Sequence, residues 1–343
     1  MATAEIKIGT KIIGEGYPTF FIAEVACAHE GNFDTAKRMI DAAVAADADA
    51  VKFQIINKEA YMAPYHHIYP IVEKVEFTAV QWAQLRNYAR QKNILFLADG
   101  YDVPSTRLAK EIDVDALKIH SSDLTNPDAI EEAAKTMLPL FLGVGATTMD
   151  EISSAVALIR RYHNKIIIMH GYQAFPTKLA GLNFNFVATL KAAYGLPAGI
   201  LDHTEGETFL SKVIPLFTPF VGAQVIEKHF VLDRSLQGID YQSSVNPDTL
   251  KDIVAHLRVI ETTRGSGFPN VNFSADEQQY RDLMKKAIVA AVDLPAHSVL
   301  SWENLAFKRA GPGIRPLDVD AILGKKITKA ICKNEKIVLG ELQ

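Results

Sequence analysis

With 343 residues, 48% hydrophobic and 22% charged, the chain carries enough apolar material for a sizeable core, and this balance excludes both disordered and membrane-spanning classes. A formal charge of −4 is the wrong sign for a general nucleic-acid surface, while leaving room for a local basic pocket. Its two cysteines, Cys27 and Cys332, make no CxxC pair and set up no disulfide framework, so Cys27 reads as a packed thiol rather than an activated one.

The opening MATAEIKIGTKIIGEGYP has charges where a secretory leader needs an apolar stretch. No later run approaches the roughly 18 apolar residues of a membrane span. A cytoplasmic location is expected, with no membrane and no nucleic-acid partner. From Thr19 onward, short β-rich runs alternate with helical patterns. The predicted strands are 19–24, 50–54, 94–98, 116–119, 140–143, 166–170, 198–201 and 223–229. Between the first two, Ala36, Met39, Ile40, Ala43 and Val44 mark the buried stripe of a helix over 34–46. A second helix over 149–161 starts with Thr148 as cap and Glu151 three residues later, a capping box. A last helix is expected near 248–263. Regular strand and helix alternation predicts parallel pairing through right-handed crossovers, and eight such units close into a (β/α)8 TIM barrel over residues 1–263.

The stretch RGSGFPNVNFSADEQ is rich in Gly, Asn, Ser and Pro, which reads as a linker, placed at 264–283. Residues 284–343 then hold short strand-like pieces and the loop KRAGPGIRP with little helical periodicity. About 60 residues make a small core, so this domain is expected to dock on the barrel or on a partner chain.

In such barrels the active site forms at the C-terminal ends of the strands. Those ends supply Glu24, Lys52 with Gln54, Asp99, Lys118 with Ser121, His170, His203 and His229. The last strand, VIEKH, runs from two apolar residues into three ionisable ones. Alternation puts Glu227 and His229 on one face and Lys228 on the other. Buried charge is costly unless paired or hydrated, so its recurrence at most strand ends points to chemistry, the competing explanation being a structural salt-bridge network. His203 and His229 end consecutive strands about 4.8 Å apart, a spacing at which two imidazoles can share one divalent ion. Spacing alone leaves hydrogen-bonded structural histidines equally open. Lys52 and Lys118 favour an anionic substrate, a carboxylate or phosphate, unless each is paired with Glu24 or Asp99. There is no Walker loop and no GxGxxG, hence no sign of nucleotide binding.

Several stretches, FFIAEVACAHEGNFDTAKRMIDAAVAADADAVKFQ, LKIHSSDLTN, AFPT, LDHT, VIEKHFVLDRSLQGIDYQSSVNPD and ENLAFKRAGPGIRPLDVDAILGKKI, resemble the sialic acid synthase family in order over nearly the whole chain. The resemblance implies a barrel followed by a β-rich antifreeze-like (SAF, β-clip) domain, in a domain-swapped homodimer whose tail covers the partner's site. It implies a carbon–carbon bond-forming transferase that condenses phosphoenolpyruvate with the open-chain aldehyde of an N-acylated amino sugar or related aldose. The expected product is a nonulosonate or similar 3-deoxy-2-keto acid, with release of phosphate and with Mn or Mg as cofactor. By motif, Glu24 then falls at the reacting aldehyde, His203 and His229 on the metal, and Lys52, Lys118 and Ser121 on phosphoenolpyruvate. Gln54 and Asp240 face the sugar, and Arg309 reaches it from the partner's tail.

Departures from the family pattern gather at the donor pocket. Asp99 replaces a threonine beside the substrate carboxylate, Gly143 a serine on phosphate, and Leu201 a serine before DHT. Gln173 and Phe175 stand for Asn and Tyr in HGYQAFPT, and NKEAYMAPYHHIYP is an unusual loop after the second strand. Asp99 pairs with a lysine or meets an amine on an unusual substrate, and His120 or His170 is available to replace a lost donor. Two further readings stay open: an aldolase-like metal enzyme with another donor, and a non-catalytic sugar-binding relative.

Overall fold

A computed structural model of the chain describes residues 3–265 and 272–343. Two compact units divide at Gly265. In the first, two short strands, β1 (Ile6–Ile8) and β2 (Lys11–Ile13), form an antiparallel hairpin that turns at Gly9, whose φ of +56° suits glycine. Eight parallel strands follow: β3 (Phe20–Ala26), β4 (Ala50–Ile55), β5 (Leu95–Gly100), β6 (Ala116–Ile119), β7 (Leu140–Gly143), β8 (Ile166–His170), β9 (Ala198–Asp202) and β10 (Val225–His229). They close in chain order, with β10 bonded to both β9 and β3. All eight expected strands and the (β/α)8 architecture are present.

Local signals behave as their chemistry dictates. The Phe33–Ala45 helix buries Ala36, Met39, Ile40 and Ala43, and the Met149–Ile159 helix carries the Thr148/Glu151 capping box. Barrel strands are buried on both faces, which is why they read as near-continuous apolar runs. Their outward residues, among them Phe21, Val51, Phe96, Leu140 and Ile226, pack against the helices. Inward residues change character along the strands. Phe20, Ile22, Ala50, Leu97, Phe141, Ile167 and Val225 fill the lower barrel, and the same inward face ends in Glu24, Lys52, Asp99, Lys118 and Glu227.

The hairpin was not among the predicted elements. Ile6, Ile8 and Ile13 join the interior cluster and plug the barrel floor, each at 3% exposure or less. Burying each contributes about 1.5–3 kcal/mol. The I-K-I alternation is the signal, but three residues per strand are too few to stand out.

In the second unit, β11 (Lys286–Ala290) pairs antiparallel with β12 (Leu305–Arg309). Ile288, Leu300, Ile322, Ile327, Ile331 and Ile337 form its own small core. The linker expected at 264–283 is corrected in part. Residues 266–271 lie outside the described residues, but Ala275–Met284 is a helix, started by a Ser274/Glu277 capping box within the same SADE sequence that composition had marked as loop. Among the described residues no helix is long and apolar enough to cross a membrane.

Candidate active site

Five charged side chains interlock at the top of the barrel. The ammonium of Lys52, fully buried, stands 2.6 Å from Glu24 Oε2, 2.7 Å from Asp99 Oδ1 and 3.6 Å from Glu227 Oε1. Lys118 donates to Glu227 Oε1 at 2.6 Å and lies 3.6 Å from Asp99 Oδ2. Strand register explains the clustering: Glu24 is level with Lys52 and His229, and Asp99 with Gln54 and Lys118. Both lysines are therefore paired, within a cluster of three carboxyl groups and two ammoniums.

The field sets the protonation states. Burial pushes the Glu24 carboxyl up to about 8, Lys52 opposing it and Glu227 and Asp99 adding to it. Burial would raise Asp99 too, but Lys118 and Lys52 outweigh it and hold the group below the usual carboxylate range. For Lys52, the carboxylates of Asp99, Glu227 and Glu24 overcome burial and drive it well above the ordinary lysine value. Near neutral pH the cluster thus holds a protonated Glu24 whose Oε1 has no partner.

A cavity of about 340 Å³ opens above this floor, lined by Glu24, Gln54, Lys118, His203, Glu227, His229 and Asp240 on its polar side. The rings of His203 and His229 are 5.2 Å apart, and Phe175 lies 4.4 Å from the His203 ring. Burial drives His203 down to about 4 and His229 well below its ordinary value, so both are neutral. His203 Nδ1 donates to the Tyr172 carbonyl at 3.3 Å, leaving the Nε2 lone pair, while the buried His229 Nδ1 has no hydrogen-bond partner and lies 3.9 Å from Asp240 Oδ2. Two neutral imidazoles with unclaimed lone pairs at one cavity suit a divalent ion that completes its shell with water or substrate. No cluster of three His, Cys, Asp or Glu joins them among the described residues.

Gln173 also lines the cavity, its Nε2 buried without a partner. Burial pushes Asp240 up to about 6. Lys52 and Asp99 sit beneath the lining, Ser121 starts the 3-10 turn Ser121–Asp123 outside it, and Arg309 is exposed at the end of β12 in the second unit. A Cβ at Gly143 would stand 3.0 Å from the Ser121 backbone nitrogen, so a serine there would need movement. Leu201 is buried beside Glu227 and supplies no donor. His170 is held by the Leu182 carbonyl at 2.9 Å outside the cavity, whereas His120 lines it with Nδ1 engaged by Ser122.

Lys228 and Asp202 form the fully buried outward pair, 3.0 Å apart, with both bonded to Thr204. The alternation within VIEKH is thereby resolved: Glu227 and His229 face the cavity and Lys228 holds the wall. Sequence reasoning missed Glu227 as the partner of Lys118, and missed an apolar cavity wall from Ile56, Tyr61, Val72, Val75 and Tyr101. Helical spacing of Ile68, Ile71, Val72 and Val75, at the end of the unusual loop and just after it, was the available signal. Cys27 donates to Gln54 Oε1 at 3.2 Å, and burial pushes its thiol far up, which fits a packed role.

Residues 39–268 match the NeuB family and residues 285–342 the SAF domain. An uncharacterized protein of Methanocaldococcus jannaschii is 33% identical over 97% of this chain and 95% of its own length. The N,N'-diacetyllegionaminic acid synthase of Legionella pneumophila is 30% identical, with 93% of both chains covered. Among solved structures, an N-acetylneuraminic acid synthetase from Leptospira borgpetersenii, in complex with citrate, is 35% identical and superposes with a TM-score of 0.75 over 82% of this chain and 98% of that one. The chain belongs to the NeuB family and is a sialic acid synthase-like, carbon–carbon bond-forming transferase whose barrel is followed by a SAF domain.

Proposed function

We propose that the protein condenses phosphoenolpyruvate with the open-chain aldehyde of an amino-sugar-type aldose, giving a nonulosonate or related 3-deoxy-2-keto sugar acid and phosphate. The observation that carries this reading is the convergence of Glu24, Lys118, Glu227, His203 and His229 on one cavity at the C-terminal mouth of the barrel. His203 and His229 would hold a divalent ion, Mn or Mg. When bound, the ion supplies Lewis-acid polarisation of the aldehyde oxygen.

The chain's own groups do the rest. Lys118 and, behind it, Lys52 offset negative charge on the donor as the tetrahedral intermediate forms. Glu24, protonated near neutral pH, is a proton source for the aldehyde oxygen as it becomes an alkoxide, and afterwards a base for water adding to the donor's other carbon. Gln54, Gln173, Phe175 and Asp240 border the sugar, and Ser121 contacts the donor through the loop after β6. Arg309 completes the acceptor site from the tail of a second copy in a domain-swapped homodimer, in the cytoplasm.

Titration calorimetry of the metal-loaded protein with phosphoenolpyruvate at low salt tests this. Saturable binding that disappears in Lys118→Ala supports the reaction. No binding, with metal present by elemental analysis, overturns it and favours the reading with another donor, for which the carboxylate-paired lysines are the specific observation.

A further inference from the structure

The register that builds the charged floor also builds a tier above it. Asp99 and Lys118 are level on β5 and β6, so the second residue past each, Tyr101 and His120, returns to the inward face about 7 Å nearer the mouth. His120 keeps the extended backbone of the strand, with φ −69° and ψ 151°. The two side chains meet there: their rings are 5.2 Å apart, and both line the cavity beside Lys118.

The loop fixes the tautomer of His120. The Ser122 backbone N–H donates to Nδ1 at 3.2 Å, so Nδ1 keeps its lone pair and the ring proton sits on Nε2. Burial, with Lys118 adding to it, lowers the ring to about 4, which leaves it neutral near pH 7. Burial also pushes the Tyr101 hydroxyl well above its ordinary value, so it stays a phenol. Each group thus has one hydrogen to give, and among the described residues no protein acceptor takes either. Below them Lys118 is bound to Glu227, and Lys52 to Glu24 and Asp99. An anion that reaches Lys118 meets an ammonium already shared with carboxylates, and needs further donors to replace its water. Resting on the reaction proposed above, we infer that Tyr101 and His120 form a pair of neutral donors that receives an anionic oxygen of phosphoenolpyruvate, phosphoryl or carboxylate, above Lys118.

Calorimetry on the full-length, metal-loaded protein tests the pair with phosphoenolpyruvate, inorganic phosphate and pyruvate, thermal unfolding serving as the check on each variant. Tyr101→Phe keeps the ring and removes the donor. His120→Asn keeps an acceptor for the Ser122 N–H but withdraws the donor from the cavity, whereas the amide of His120→Gln reaches about as far as Nε2. The Phe and Asn variants should each weaken phosphoenolpyruvate about tenfold to a hundredfold, and Gln should restore most of the loss. Whichever of phosphate and pyruvate loses affinity in the same two variants is the group held there. Phosphoenolpyruvate binding unchanged in both Tyr101→Phe and His120→Asn overturns the inference and leaves the reaction standing. A Gln variant as weak as Asn overturns the contact from His120, since its role would then be to shape the loop. Phosphate or pyruvate held through Tyr101 and His120 by a protein that does not bind phosphoenolpyruvate keeps the donor pair and overturns the reaction; failure of all three anions to bind overturns both.

Discussion

Asp99 is the residue on which the donor question turns, and asparagine is the informative replacement. Its carboxylate touches Lys52 at 2.7 Å and lies 3.6 Å from Lys118, so an anion bound by either lysine sits within about 6 Å of it. Two unit charges at about 6 Å repel by about 3 kcal/mol at an effective dielectric of about 20, equivalent to about a hundredfold in affinity. Asp99→Asn keeps the volume and removes that repulsion. Part of the gain is returned, because Asp99 helps hold Glu24 up to about 8 and its neutralisation lets Glu24 ionise more readily. Phosphoenolpyruvate should therefore bind Asp99→Asn about tenfold to a hundredfold more tightly in calorimetry at low salt, whereas Asp99→Glu should show no gain. Unchanged or weaker binding in Asp99→Asn, with the unfolding midpoint preserved, would show that Asp99 does not oppose the donor, and the charge argument would be wrong.

Joint replacement His203→Ala with His229→Ala should abolish stoichiometric Mn binding by elemental analysis and leave the far-UV circular dichroism intact; retained stoichiometry removes these residues as ligands. Lys228→Ala leaves Asp202 buried without its ion partner and should cost about 3–5 kcal/mol in urea unfolding, far more than an exposed lysine would. Ile8→Ala opens the barrel floor and should cost about 2–5 kcal/mol by the same assay. Burial lowers His29 to about 4 against 6.5 in the unfolded chain, so the unfolded state binds more protons between those values and stability falls as pH drops through that window, by about 3 kcal/mol; His29→Gln should flatten the dependence, and an equally steep profile would rule the residue out.

The barrel was legible because parallel strands buried on both faces leave unbroken apolar runs, and because each run ends where side chains reach the open mouth. Thr148 and Glu151 announced their helix for the same local reason. What stayed hidden depends on distance across the fold. Lys118 meets Glu227 over 109 positions of chain, on strands that are not neighbours, a contact set by the width of the barrel and not by any spacing in the sequence. Val72 and Val75 lie on a short helix and line the cavity, a placement that nothing in their local sequence announces. Arg309 is exposed on β12 within its own unit, and only family resemblance gives it a role.

The three consecutive charges of VIEKH also act on folding. Were β10 to slide by one position against β3 and β9, Lys228 would enter the cavity among ammoniums, and Glu227 and His229 would be pressed without partners into the apolar layer beneath the helices. Each misplaced group would lose its hydration with nothing to replace it. The strand that brings Glu227 and His229 to the cavity thus carries its own check on alignment: a barrel closed in the wrong register is penalised at its own mouth.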